Sequence, residues 1–399
     1  MDPGPQQHRG SVPEVFRAFL KLGFISFGGP IAHLGYFRDE FVTRRRWLSD
    51  SAYADLVALC QFLPGPASSQ VGFAIGLMRA GWFGALAAFV AFTLPSALIL
   101  TVLAMTAQRS ETAHFTGVLH GLKIVAVAIV AQAVLGMARS LCPDRERATI
   151  AVGAVLMLTL APGVVGMTGA ILLGAIAGLV IGKGAANTGI PLSVPVSKPV
   201  GLLSLAVFGL LLAGLPLLAE LGQGGALVDS FYRAGALVFG GGHVVLPMLQ
   251  AETVARGWIS EDVFLAGYGA AQAVPGPLFT FSAWLGAAML PQPNGPAGAV
   301  IAVLAVFLPG FLVLIAALPF WDQFRRRAWA QSAMQGANAA VVGILGAALY
   351  SPVFTSAIAG MADFALALVC FVALTAWRVA PWAVVLLAAA GGVTLGLAA

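Results

Sequence analysis

Two Pro-Gly-Pro triplets, Pro64-Gly65-Pro66 and Pro275-Gly276-Pro277, interrupt apolar stretches of this chain, and Gln61 and Gln272 precede them at equal spacing. Proline brings no amide donor and breaks a helix interior, so each triplet should split its segment into two half-helices. The second half then starts near Pro66, a residue suited to the first helical position. Its first-turn amides carry about half a positive charge, and the Ser68 and Ser69 hydroxyls stand in the same turn. Such an end binds anions. Pro277 and Thr280 repeat the arrangement. A second pair of breaks, Phe27-Gly28-Gly29 and Phe239-Gly240-Gly241, supplies glycines that let backbone come close to a ligand or to another break.

Protonatable groups inside apolar stretches add to this set. Lys21, His33, Lys123 and His243 fall there, with His120 close by, and intramembrane ionisable groups are functional by default. Each has a plainer reading. Lys21 lies four residues from Arg17 and can snorkel to the interface, whereas His33 and His243 can be hydrogen-bonded packing residues. Lys123 aligns with Asn338 in the second half of the chain, which keeps a polar group there without the charge. Acidic residues are expected only at segment ends and in loops, with Glu40–Arg38 and Glu252–Arg256 as interfacial ion pairs. Positive helix ends, cationic side chains and no midplane carboxylate together favour an anionic substrate. No metal-ligand cluster, nucleotide motif or cysteine pair is visible, so neither a cofactor nor an enzyme is expected.

The elements that must hold these residues are membrane helices. The 399 residues are 59% hydrophobic and only 9% charged, with a mean hydropathy of +0.93; soluble domains carry about 25% charged residues. Period-two alternation is absent, which argues against a barrel. No cleavable leader is expected from the polar opening MDPGPQQHRG. The basic balance belongs to topogenic loops and gives no reason to invoke nucleic acid.

The chain is also a duplication. Phe27-Gly28-Gly29 recurs as Phe239-Gly240-Gly241, Trp47 pairs with Trp258, QFLPGP with QAVPGP, and FTLPSALIL with VFLPGFLVL. Three regions follow: a first repeat over 1–182, a linker with one unmatched apolar segment over 183–228, and a second repeat over 229–399. Six membrane segments are expected in each repeat, the first two at 15–35 and 53–79. With the linker segment this makes an all-α polytopic protein of about thirteen transmembrane segments, with helices broken at FGG and PGP. An odd number of segments between the repeat starts makes them inverted, as in many secondary transporters. Loop cations divide roughly two to one between the faces, which places the N-terminus in the cytoplasm and the C-terminus outside. The cluster Arg44–Arg46 falls on the wrong face; it moves inside if the first segment of each repeat is a re-entrant hairpin, but the overall split is then the same, so charge counting does not separate the two arrangements.

The order FxKLGFISFGGP, RRRWLSD, QFLPGPASSQ and FTLPS, then FGGGHVVLPMLQ, AQAVPGPLFTFSAWLG and FLPGF, resembles the chromate ion transporter family in its long, two-domain form. That resemblance covers nearly the whole chain. It implies a bacterial inner-membrane transporter that exports chromate and confers resistance, with two homologous halves of opposite topology. A sulfate or other small-oxyanion permease on the same fold, or an anion channel, remains the alternative. The partners implied are the oxyanion and the lipid bilayer, with a homodimer as a candidate assembly.

Overall fold

The computed structural model describes residues 10–27, 29–107, 113–182, 195–238, 244–324 and 327–398. The fold is helical. The first repeat comprises α1 (Val12–Ile25), α2 (Gly29–Phe37), α3 (Asp50–Phe62), α4 (Ala67–Ala107), α5 (Ala113–Leu141), α6 (Arg145–Leu160) and α7 (Val164–Ile181). After the linker helix α8 (Lys198–Ala219), the second repeat begins with α9 (Gln223–Ala236), α10 (Val245–Thr253), α11 (Glu261–Ala273), α12 (Phe281–Ala288) and α13 (Gly295–Ala317). It ends with the short α14 (Trp321–Phe324), then α15 (Ala328–Ala348), α16 (Thr355–Ala357), α17 (Met361–Thr375) and α18 (Pro381–Ala398).

Residues 15–35, expected as one broken span, form a hairpin instead. From α1 into α2 and the π-helical turn after it, Ser26 meets His33, Lys21 meets Glu40, Phe19 meets Phe37 and Phe41, and Glu14 meets Arg45. Residue numbers that rise on one arm while they fall on the other mean that the chain turns back at FGG. The physical reason is length. An arm of 14 residues reaches about 21 Å, short of a hydrocarbon core of about 30 Å.

Residues 53–79 fold the same way, with PGP at the tip. Arg79 lies over the Trp47 ring at 5.0 Å, so the far end of α4's first arm returns beside the chain entering α3. At Ala80 and Gly81 the helix reverses, and Gly76 packs against Gly84 and Ala88 so closely that a side chain at Gly76 would strike the Gly84 carbonyl. Only the arm 82–107 runs on at spanning length. In the second repeat the Leu290 amide bonds the Trp258 carbonyl, and Gly286 packs on Gly298 and Ala302, which are the same contacts at matching positions. The expected count of thirteen spans does not accommodate these returns. Among the described residues, the helices long and apolar enough to cross are Ala67–Ala107, Thr116–Leu141, Lys198–Ala219, Gly295–Phe320 and Ala328–Ala357, with Val165–Ile181, Leu278–Ala288, Met361–Thr375 and Pro381–Gly396 as shorter apolar helices.

Glycines join the two repeats. Gly117 and Gly121 on α5 meet Gly392 and Ala388 on α18, and Gly336 on α15 meets Gly174 and Gly178 on α7. Because lipid gives helices no hydrophobic reason to associate, such close backbone packing supplies the attraction. Each pair takes one helix from each repeat. The contacts are reciprocal, as a two-fold relation requires.

The bases of the first two hairpins are held by charge. Glu40, 6% exposed, accepts from Lys21, Arg44 and Arg45, while Arg38 pairs with Asp50 rather than with Glu40. Glu252–Arg256 forms as the spacing predicts. Burial alone would raise the Glu40 carboxyl, but the hydrogen bonds from Arg45, Arg44 and Lys21 outweigh it and hold it below the usual carboxylate range. A depressed folded value means a contribution that is complete above about pH 4.3, the unfolded value, and fades as pH falls through the folded one. The expected result is that E40Q melts below wild type at pH 7, with the gap closing below about pH 4; thermal unfolding in detergent at both pH values measures it.

Candidate functional site

The hairpin tips meet. The Gly65 amide, in the first PGP, donates to the Val238 carbonyl at 2.7 Å, and the Gly276 amide, in the second, donates to the Ser26 carbonyl at 2.9 Å. Ser26 and Val238 are the residues just before each FGG, so each PGP tip is bonded to the FGG tip of the other repeat. Both PGP glycines have matching positive φ, 114° and 111°. Their faces lie against equivalent residues on the crossing helices: Gly65 on Gly310 of α13, and Gly276 on Ser96 of α4. A side-chain carbon on Gly65 would lie 2.8 Å from the Gly310 Cα. Only glycine fits.

His33 ties the first two tips together. Its Nε2 lies 3.2 Å from the Ser26 carbonyl and its Nδ1 3.4 Å from Ser68 Oγ. A carbonyl only accepts, so Nε2 carries the proton and Nδ1 accepts from the Ser68 hydroxyl. The ring is fully buried, edge-on to Phe92. The Ser26 carbonyl thus receives two donors, one from each repeat. Gln70, also fully buried, donates from Nε2 to the Pro64 carbonyl at 2.9 Å and to the Gly310 carbonyl at 2.8 Å.

Donors without partners surround this junction on the first-repeat side. Helix α4 starts just after Pro66, and its first internal bond runs from the Gln70 amide to the Pro66 carbonyl. The Ser69 hydroxyl stands in that first turn, and Ser26 occupies the C-terminal cap position of α1; both hydroxyls are buried with no hydrogen-bond partner. Gln70 Oε1, which can only accept, is buried and unpartnered as well. A buried polar group without a partner costs about 1–3 kcal/mol, so the two hydroxyls gain by meeting a ligand that offers acceptors.

The second repeat does not mirror this. Thr280, expected to act as Ser69 does, bonds the Pro277 carbonyl with its hydroxyl at 2.7 Å. Leu278, Phe279 and Phe281 occupy the turn that holds Ser68 and Gln70 in the first repeat. The polar half of the junction is therefore built by one repeat, and the other contributes the Gly276 amide.

Other expected residues lie elsewhere. Lys123 is bonded to Asp262 at 2.7 Å, at the far end of α11 from the second PGP; at 1.5 Å per residue that is about 18 Å away. Lys21 answers Glu40 rather than facing the tips. Gln61 is exposed on α3, while Gln272 Nε2 and Asn338 Oδ1 are buried without partners. Gly29 has open space about it. Gly28, Gly240, Gly241 and His243 lie outside the described residues. Five carboxylates among the described residues are buried, those of Glu40, Asp55, Asp229, Glu252 and Asp363. Arg233 holds Asp229 as Lys21 and the arginines hold the glutamates, and Asp363 is bonded to His120 Nε2 at 2.8 Å. Low dielectric favours such matching over leaving a carboxylate alone.

Sequence reading passed over Ser26, Gln70, Ser96, Gly310 and Val238. Their signal was present: Ser26 and Val238 sit at the same distance before FGG, and Ser96 and Gly310 are the small residues after the aligned prolines.

Comparison with known proteins agrees with the duplication. The family described as Chromate transporter matches residues 13–180 and again 225–393. A chromate transport protein of Pseudomonas aeruginosa is 28% identical over 353 residues, covering 84% of this chain and 80% of that one. A probable chromate transport protein of Synechococcus elongatus is 27% identical, covering 85% and 84%, and a chromate transport protein of Cupriavidus metallidurans is 25% identical, covering 82% and 79%. No solved structure matches. With both repeats matched over nearly their whole length, this membrane protein belongs to the chromate transporter family.

Proposed function

We propose that this protein is a secondary transporter that exports chromate across the bacterial inner membrane and so confers resistance. The substrate is taken at the hairpin junction, in the first turn of α4. The observation that carries this reading is the buried, unpartnered Ser69 hydroxyl at a helix N-terminus, beside an interlocked pair of re-entrant tips. Amides and hydroxyls give a neutral, donor-rich lining, which suits a tetrahedral dianion. Relatives of this chain carry the name of chromate transport proteins, which supports the cargo. The same lining suits sulfate, and that is the second reading.

The topology follows from the hairpins. If the four hairpins re-enter, the crossings are the second arm of α4, then α5 to α8, α13, α15, α17 and α18. An odd number still separates the repeat starts, so the repeats are inverted. On this count Arg38 and Arg44–Arg46 join the cytoplasmic face, and only Arg109, Arg233 and Arg256 remain among the loop cations opposite. The excess of cations is then far clearer than with thirteen spans, which supports a cytoplasmic N-terminus.

A dianion leaving an inside-negative cell gains about 4.6 kcal/mol per 100 mV, so the membrane potential alone can drive export. Labelled chromate flux in proteoliposomes, with potential and pH gradient imposed separately, tests this. Flux that follows the potential and is blocked by excess sulfate is expected; no chromate flux under either gradient sinks the proposal.

A further inference from the structure

The two repeats share one architecture but differ at one helix. Helix α11 packs on α5, with Gly269 so close that a side chain there would strike the Leu122 carbonyl. Lys123 and Asp262 bond across the same interface. By the repeat alignment, α3 corresponds to α11 and α15 to α5. Yet α3 packs on α4 and on the turn before it, and makes no comparable contact with α15 among the described residues.

The same stripe of residues records the difference. On α11, Leu265 and Gly269 are buried and Gln272 is half-buried. Their counterparts on α3, at helical spacing along one face, are Ala54, Ala58 and Gln61; Ala54 and Gln61 are exposed and Ala58 is half-buried. The counterparts of Asp262 and Lys123 are Ser51 and Asn338. Ser51 Oγ turns to Ser49 Oγ at 3.1 Å, and Asn338 Oδ1 is left buried without a partner.

Resting on the transport reading above, we infer that Lys123–Asp262 and Asn338–Ser51 are the two latches of an alternating gate. The structure holds the first latch closed and the second open. In the opposite state α3 docks on α15 through Ala58, Ser51 donates to the Asn338 carbonyl oxygen, and α11 leaves α5 with Lys123 and Asp262 parted. Substrate reaches the junction along the α3 stripe past Gln61 in one state, and along the α11 stripe past Gln272 in the other. The latches are unequal. One is an ion pair and the other a neutral hydrogen bond, so the resting population favours the state seen here.

Paired cysteines test this in a background with Cys60, Cys142 and Cys370 replaced. The K123C/D262C pair reports the state seen, and S51C/N338C reports the other. A short, cleavable bismaleimide applied to native membranes is expected to link both pairs. Either link should stop flux, and cleavage should restore it. Adding D262N to the S51C/N338C chain is expected to raise its linking about two- to fivefold by releasing the first latch. Linking of S51C/N338C no higher than in either single-cysteine chain, while K123C/D262C links, overturns the gate; failure of both pairs overturns it too. The cargo is read separately. Links that form in both pairs and stop sulfate flux in a chain with no chromate flux would remove the cargo and leave the gate, whereas chromate flux untouched by the S51C/N338C link would remove the gate and leave the cargo.

Discussion

G65A is expected to lower oxyanion flux by about tenfold or more, at 1.4 kcal/mol for each factor of ten, and to lower the melting temperature with it. At φ 114° any side chain is strained, and here it also meets the Gly310 Cα at 2.8 Å. Backbone cannot swing aside as a side chain can, so strain and overpacking together cost about 2–5 kcal/mol. The matching G276A should be milder. Its φ of 111° is as unfavourable, but the obstructing atom is Ser96 Oγ, the movable end of a side chain. S96G, which copies the glycine at 310, is therefore expected to recover part of the G276A defect and none of the G65A defect. Flux and melting temperature of the two single variants and the S96G combinations measure this. Equal loss in both single variants would mean that the two tips are not held by these contacts.

S69A should separate function from stability. Its hydroxyl is buried and meets no partner within the protein, so removing it costs the fold nothing and relieves an unsatisfied group. A hydrogen bond to a charged ligand is worth about 1.5–3 kcal/mol, which corresponds to a rise in KM of about 10- to 100-fold. The expected pair of results is a much higher KM for the oxyanion and a melting temperature within about 0.5 kcal/mol of wild type in stability. T280A supplies the contrast. Its hydroxyl is committed to the Pro277 carbonyl, so KM should hold while stability falls slightly. An S69A protein with normal KM would remove the first turn of α4 from the binding site.

Much of this molecule was legible as a sequence. PGP and FGG recur at fixed offsets, and the structure bonds each PGP glycine to the residue just before the other repeat's FGG, because a break in a membrane helix must satisfy its freed amides and carbonyls within the protein. The hairpins stood only as an alternative, because re-entry of the first segment of each repeat leaves the split of loop cations unchanged. Hydropathy counts apolar residues along a line, and two short apolar arms with a glycine turn between them read the same as one interrupted span. The discriminating signal was charge: Lys21 and Glu40, nineteen residues apart, meet only if the chain turns back. Thr280 misled for a related reason. A hydroxyl in register with Ser69 has the same chemistry, but a nearby carbonyl can claim it first, and spacing does not reveal which partner wins. Lys123 misled because the acid that neutralises it comes from the other repeat, 139 residues on.

The crossed bonds from Gly65 to Val238 and from Gly276 to Ser26 have a mechanical consequence. Each PGP tip is tethered to the other repeat, so neither repeat can retreat without pulling its twin. On the transport reading proposed above, such a joint would act as a fulcrum: the outer helices swing, the pivot stays put, and a force that opens one end closes the other. A leak would then require both tethers to snap at once, which is a stricter safeguard than any single plug.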